Sequence, residues 1–93
     1  MRKLAEKLQK GETIQFRPNG NSMSPKIKSK QLVTVSPSSE AEVNDIVLCK
    51  VRGNYYLHLV KAIGKRGYLI GNNKGFDNGW TKTIFGRVIK VEN

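Results

Sequence analysis

Acid, sulfur and histidine are all scarce in this 93-residue chain. Seven Asp and Glu stand against 17 Lys and Arg, and there is one Cys and one His. A lone cysteine cannot form an intrachain disulfide, which fits a reducing compartment. Cys49 follows Ile46-Val47-Leu48 on an expected core strand, where a free thiol behaves as a small buried hydrophobe. One His and one Cys also argue against a protein-built zinc site, and no metal or other cofactor is expected. No apolar run approaches the roughly 20 residues that a membrane helix needs. The N-terminus has no apolar core of a secretory signal either. These absences lead to the expectation of a soluble, cytoplasmic protein with no membrane span.

Positive charge is what the chain has in excess. A net charge of +10 implies attraction to something acidic, whether nucleic acid, an acidic protein or an anionic surface. The cations are scattered from Arg2 to Lys90 and form no single block. Lys26, Lys28 and Lys30 are the densest pattern; in an extended chain their alternate spacing would place all three on one side. They are the candidate binding residues, against the alternative of an ordinary solvated surface. No helix-turn-helix signature, zinc spacing or aromatic RNA-binding motif accompanies them, so base-specific reading is not expected.

The length allows one domain, residues 1–93, with a helix in 1–11 and a core in 14–91. Leu4 and Leu8 lie one helical turn apart with charges opposite, which predicts a short amphipathic helix over Arg2–Gln9, stopped by Gly11. Such a helix is marginal alone and must pack on something. Ile14 and Phe16 alternate with polar residues in a half-buried strand. Further strands are expected at Leu32–Val35, Asp45–Val51, Tyr55–Ile63, Tyr68–Ile70 and Ile84–Val91, with Arg52-Gly53-Asn54 as a hairpin turn. Gly71 to Gly79 is rich in Gly and Asn and reads as an irregular loop that ends near Trp80. Short strands at near-regular spacing predict an all-β domain, a small twisted, partly closed β-barrel with one N-terminal helix.

The most informative stretch is Gly20-Asn21-Ser22-Met23-Ser24-Pro25. Glycine permits close backbone approach and proline stiffens the exit, so a serine hydroxyl is displayed at a turn before a strand. A surface turn of ordinary composition would read the same way. The order of the downstream segments decides between them: Leu32-Val33-Thr34-Val35, then Asn44-Asp45-Ile46-Val47, then a strand carrying His58, then Gly71-Asn72-Asn73, then Gly86-Arg87-Val88. This order resembles the serine-peptidase superfamily of signal peptidases and LexA-like self-cleaving repressors. There the pattern runs Gly-x-Ser-Met-x-Pro, apolar strand, Gly-Asp-Ile-Val, base-bearing strand, Asn-containing turn and Gly-Arg-Val. The likeness covers about residues 14–91.

The resemblance implies a peptidase acting on an extended peptide or protein, with Ser22 as nucleophile. Many bacterial members use a lysine base; the histidine type of signal peptidase has a strand similar to Leu57-His58-Leu59-Val60. By that likeness His58 is the base and Asp77 the acidic partner, with Lys61 as the alternative base. In a strand His58 and Lys61 face opposite sides, so both cannot serve Ser22 without a bulge. Histidine also titrates near neutrality, whereas lysine needs a strongly lowered pKa. The competing reading of Asp77 is a loop cap, and Trp80 is either cover for that loop or a groove wall.

Three departures separate this chain from the pattern. Lys30-Gln31 replaces Gly-Asp, Asn44 replaces glycine before Asp45, and Asn72 stands where the histidine type has aspartate. Degeneration would look similar, so the alternative function is a catalytically inactive basic module, a phage or mobile-element regulator or inhibitor that contacts nucleic acid or an acidic protein. Only a short helix precedes the expected domain, so self-cleavage that releases an N-terminal DNA-binding domain is not expected.

Overall fold

The computed structural model describes residues 1–20, 23 and 26–93. Among the described residues, one helix, α1 (Arg2–Gln9), precedes seven strands. These are β1 (Ile14–Phe16), β2 (Leu32–Pro37), β3 (Ile46–Val51), β4 (Asn54–Gly64), β5 (Gly67–Gly71), β6 (Asp77–Thr81) and β7 (Ile84–Glu92). All pairings are antiparallel, and the strands form a single sheet in the order β1-β2-β7-β3-β4-β5-β6. The all-β expectation holds, but the sheet is not closed into a barrel: β1 and β6 remain its edges.

Local chemistry explains the elements that position the site. Helix α1 ends where Gly11 takes φ +89. The Gly11 N–H donates to the Leu8 carbonyl and the Glu12 N–H to the Lys7 carbonyl, both at 3.0 Å, closing the last turn. Eight residues cannot hold a helix alone, so docking stabilises it: Ala5 and Leu8 are buried. A Cβ on Gly86 would stand 3.1 Å from Leu8 Cδ2 and 2.6 Å from the Ser36 carbonyl, so the missing side chain lets the helix settle on β7. Arg52 and Gly53 both have positive φ, 51° and 83°, and join β3 to β4 with Val51 opposite Asn54. That is the two-residue turn whose twist suits a hairpin.

Among the described residues, two apolar clusters form the core. The first packs Ala5, Leu8, Met23 and Ile27 with Val33, Val35, Leu48, Leu57, Leu59 and Phe85. The second comprises Val47, Cys49, Val51, Val60, Ile70 and Ile84, with Tyr56 and Tyr68 at its margin. Alternation along β3 and β4 assigns neighbours to different clusters: Leu57 and Leu59 to the first, Val60 to the second. Strands β3 to β6 curl around the second cluster, and Thr81 at the end of β6 donates its hydroxyl to the Lys50 carbonyl of β3 at 2.6 Å.

Strand β6 is where the structure departs from the expected loop. Asn72 closes the preceding turn, its Oδ1 accepting from the N–H groups of Lys74 at 2.8 Å and Phe76 at 3.0 Å. The chain then pairs with β5 over Asp77–Thr81, and Trp80 lies against Gly64.

Candidate active site

His58 sits on β4, opposite Val47 of β3. Its ring stacks on Tyr56, two residues earlier on the same face, with centroids 5.2 Å apart. Strand β5 pairs with β4 only from Leu59 onward, so along Asn54–His58 the described strands flank β4 on the β3 side alone. His58 thus stands one residue before the β4–β5 pairing begins. Its Nδ1 lies 2.7 Å from Asn78 Oδ1 on β6. The oxygen can only accept, so Nδ1 carries the hydrogen and the proton-accepting lone pair is on Nε2. Burial pushes the imidazole below its ordinary 6.5, against a smaller upward pull from the Asn78 hydrogen bond. The neutral base therefore predominates at neutral pH.

Asp77 and Lys61 form a different group. Lys61 is the extra residue of a bulge between Val60 and Ala62 on β4. Its stem crosses Gly71, where an added Cβ would stand 3.0 Å from Lys61 Cε, and its Nζ lies 3.9 Å from Asp77 Oδ1. Gly71 pairs with Leu59 on one side and Asp77 on the other. The pair therefore lies on the Leu59 side of the sheet, while His58 shares a face with Tyr56. A bulge is present, yet it does not bring Lys61 to His58. Of the expected trio, then, Asp77 partners Lys61, and Asn78 is the residue that reaches His58. A second bulge, between Ile70 and Gly71 on the β5–β6 pair, accounts for this: Ile70 faces Gly79 and Gly71 faces Asp77, which leaves Asn78 out of the pairing and re-aimed.

Ser22 lies outside the described residues. Its neighbour Met23 is 4 % exposed and belongs to the cluster that contains Leu57 and Leu59, the residues on either side of His58. The Met23 carbonyl accepts from the Ile27 N–H at 2.9 Å, and Ile27 is buried in the same cluster. Met23 and Ile27 are thereby tied to the sheet. Lys26, Lys28 and Lys30 are exposed in a run of turns and bends, so the single-sided stripe of an extended chain is not formed. Among the described residues, no group of three His, Cys, Asp or Glu is arranged to hold a metal ion. Cys49 is buried, its thiol pushed up to about 12 by desolvation. A groove of about 620 Å³ between the end of α1 and the β6–β7 turn involves none of these candidates; Leu8, Pro37, Lys82 and Phe85 are on its walls.

A family model described as Peptidase S24-like matches residues 2–89. The chain belongs to the Peptidase S24-like family. No curated protein matches it. Two departures from the pattern of this superfamily now have a physical reading. Lys30 and Asn44, which stand where glycine is usual, have φ of 66° and 78°. The Peptidase S24-like chain thus keeps a left-handed backbone at both positions without the residue that adopts it most easily. Asn tolerates this conformation well; lysine does so at a cost.

Proposed function

We propose that this Peptidase S24-like protein is a serine endopeptidase in which Ser22 is the nucleophile and His58 the general base. The observation that carries the reading is the state of His58: a half-buried imidazole, hydrogen-bonded at Nδ1, with its basic lone pair on Nε2. Met23 is buried with Leu57 and Leu59, on the face of β4 opposite His58, so the serine beside it must reach His58 around the strand edge.

In the reaction, an extended peptide lies along a strand edge by strand addition. His58 Nε2 takes the proton of Ser22 Oγ as the oxygen attacks the scissile carbonyl. Backbone N–H groups beside the nucleophile stabilise the oxyanion. The imidazolium then returns that proton to the leaving amine, and water hydrolyses the acyl-enzyme with His58 again as base. A fluorophosphonate probe should label the wild type at Ser22, Ser22→Ala should not be labelled, and His58→Ala should react roughly 10²–10⁴-fold more slowly. Unchanged labelling of Ser22→Ala, or none of a folded wild type, would refute the peptidase.

A second reading rests on charge. Net charge is +10, and the four ion pairs formed among the described residues engage only Arg2, Lys61, Arg87 and Lys90 as cations. The remaining positive surface would suit a binding module for nucleic acid or an acidic protein.

A further inference from the structure

We propose that the substrate of this protein is an acidic peptide segment, recognised by the cations Arg17, Lys26, Lys28 and Lys30 on the loop that carries Ser22. The inference deepens the peptidase reading and rests on Ser22 as the nucleophile, whichever side chain takes its proton. Residues 13–39 contain these four cations and no Asp or Glu. All four are exposed, and none is engaged by an ion pair among the described residues. An acid on the neighbouring strand, Glu92 opposite Leu32, is taken by Lys90 at 3.8 Å.

Hydrogen bonds within the loop bring the cations to the serine. The Lys30 N–H donates to the Pro18 carbonyl at 2.8 Å, the Gly20 N–H to the Ser29 hydroxyl oxygen at 3.3 Å, and Arg17 Nη1 to the Lys30 carbonyl at 2.9 Å. Gly20 stands two residues before Ser22, so its bond to Ser29 holds Lys28 and Lys30 at the same end of the loop. Lys26 follows Ser22 by four residues, at most about 14 Å of chain, a distance that an extended peptide covers in about four residues. Lys30 gives a second, independent sign. Its backbone has a φ of 66°, which glycine would adopt without strain. A left-handed conformation borne by a lysine points to a use for its ammonium. The chemistry favours peptide over nucleic acid. Residues 17–31 include no aromatic ring on which a base could stack, and one short loop spans a few carboxylates rather than a long row of phosphates.

The test compares fluorophosphonates on Ser22: one bearing a Glu-Glu-Ala peptide, one bearing Lys-Lys-Ala and one with no peptide. At low ionic strength the wild type should react roughly tenfold or more faster with the acidic than with the basic probe. The ratio should fall towards one in about 1 M salt, where charges are screened beyond about 3 Å. Lys26→Ala, Lys28→Ala and Lys30→Gly combined should bring it close to one. Lys3→Ala, Lys65→Ala and Arg66→Ala combined, which remove exposed cations elsewhere, should leave it unchanged. Lys30→Gly alone should lower the ratio in a protein that melts higher than the wild type, which separates recognition from folding. A wild-type ratio near or below one, or a ratio that the combined loop substitutions leave intact, overturns the proposal. If the peptide-free probe leaves folded wild type unlabelled, the peptidase reading fails, and fluorescence anisotropy of fluorescein-labelled hexaglutamate then decides whether the surface recognises acidic peptide. Salt-sensitive binding that the combined loop substitutions abolish upholds the recognition. No binding, or tighter binding of an oligothymidylate of equal charge, overturns it.

Discussion

Replacing Gly71 by alanine puts a methyl group where β4, β5 and β6 meet without room for one. The added Cβ would stand 2.6 Å from the Phe76 carbonyl oxygen, 2.7 Å from Asp77 Oδ1 and 3.0 Å from Lys61 Cε. The last two contacts are with flexible side chains that can swing aside, at the cost of a half-exposed ion pair worth little. The Phe76 carbonyl belongs to the backbone at the entry to β6 and accepts the Asn72 N–H at 2.8 Å, so it moves only if the strand moves. Overpacking of this kind costs about 1–3 kcal/mol. In a domain of this size each kcal/mol shifts the thermal midpoint by roughly 4–8 °C. Gly71→Ala should therefore unfold about 5–20 °C below the wild type in a circular-dichroism melt. Because β6 carries Asn78, the His58 ring signals should shift as well. Removing the Lys61 stem in the same chain should restore little, since the backbone carbonyl remains. A melt within about 2 °C of the wild type, or full rescue by Lys61→Ala, would refute the reasoning.

Lys30→Gly should stabilise the fold by up to about 1 kcal/mol in urea unfolding, because a left-handed φ of 66° costs a residue with a Cβ about 1–2 kcal/mol, partly returned through the freer unfolded chain. His58 titrates below 6.5 in the folded protein, so between that folded midpoint and 6.5 the unfolded chain binds more protons. Its contribution to stability is complete above 6.5 and is lost as pH falls through the folded midpoint; unfolding titrations of wild type against His58→Gln should diverge in that direction and no other. If the basic surface binds nucleic acid, removing Lys26, Lys28 and Lys30 together should flatten the log–log salt dependence by about 0.9 for each phosphate they had neutralised. Ser22→Ala should leave that slope unchanged, and an absence of salt-dependent binding at low ionic strength would end the binding-module reading.

The parts of the fold written in local chemistry were legible in the sequence. Gly11 closing α1, the Arg52-Gly53 hairpin and the long strand bearing His58 each follow from turn residues and alternation. Strand β6 was not legible, because Asp77-Asn78-Gly79 is a poor strand former on composition. It forms because β5 offers an edge to pair with and Trp80 can lie on Gly64, both consequences of tertiary arrangement. The site suffered from the same blindness. Adjacent residues on a strand face opposite ways, so once β6 exists either Asp77 or Asn78 can reach His58, and the bulge beside Gly71 decides which. The carboxylate was the more familiar partner for a histidine, and nothing in the linear sequence marks a bulge. The family departures at Lys30 and Asn44 read as losses in sequence; the backbone angles reveal a left-handed conformation at both.

The central claim is that Ser22 is served by His58. A high-resolution crystal structure that resolves residues 20–27 measures it directly. The account predicts Ser22 Oγ within about 2.6–3.2 Å of His58 Nε2, with Asn78 still on Nδ1. Ser22 Oγ beside Lys61 Nζ, with the His58 ring turned away from it, would contradict the account.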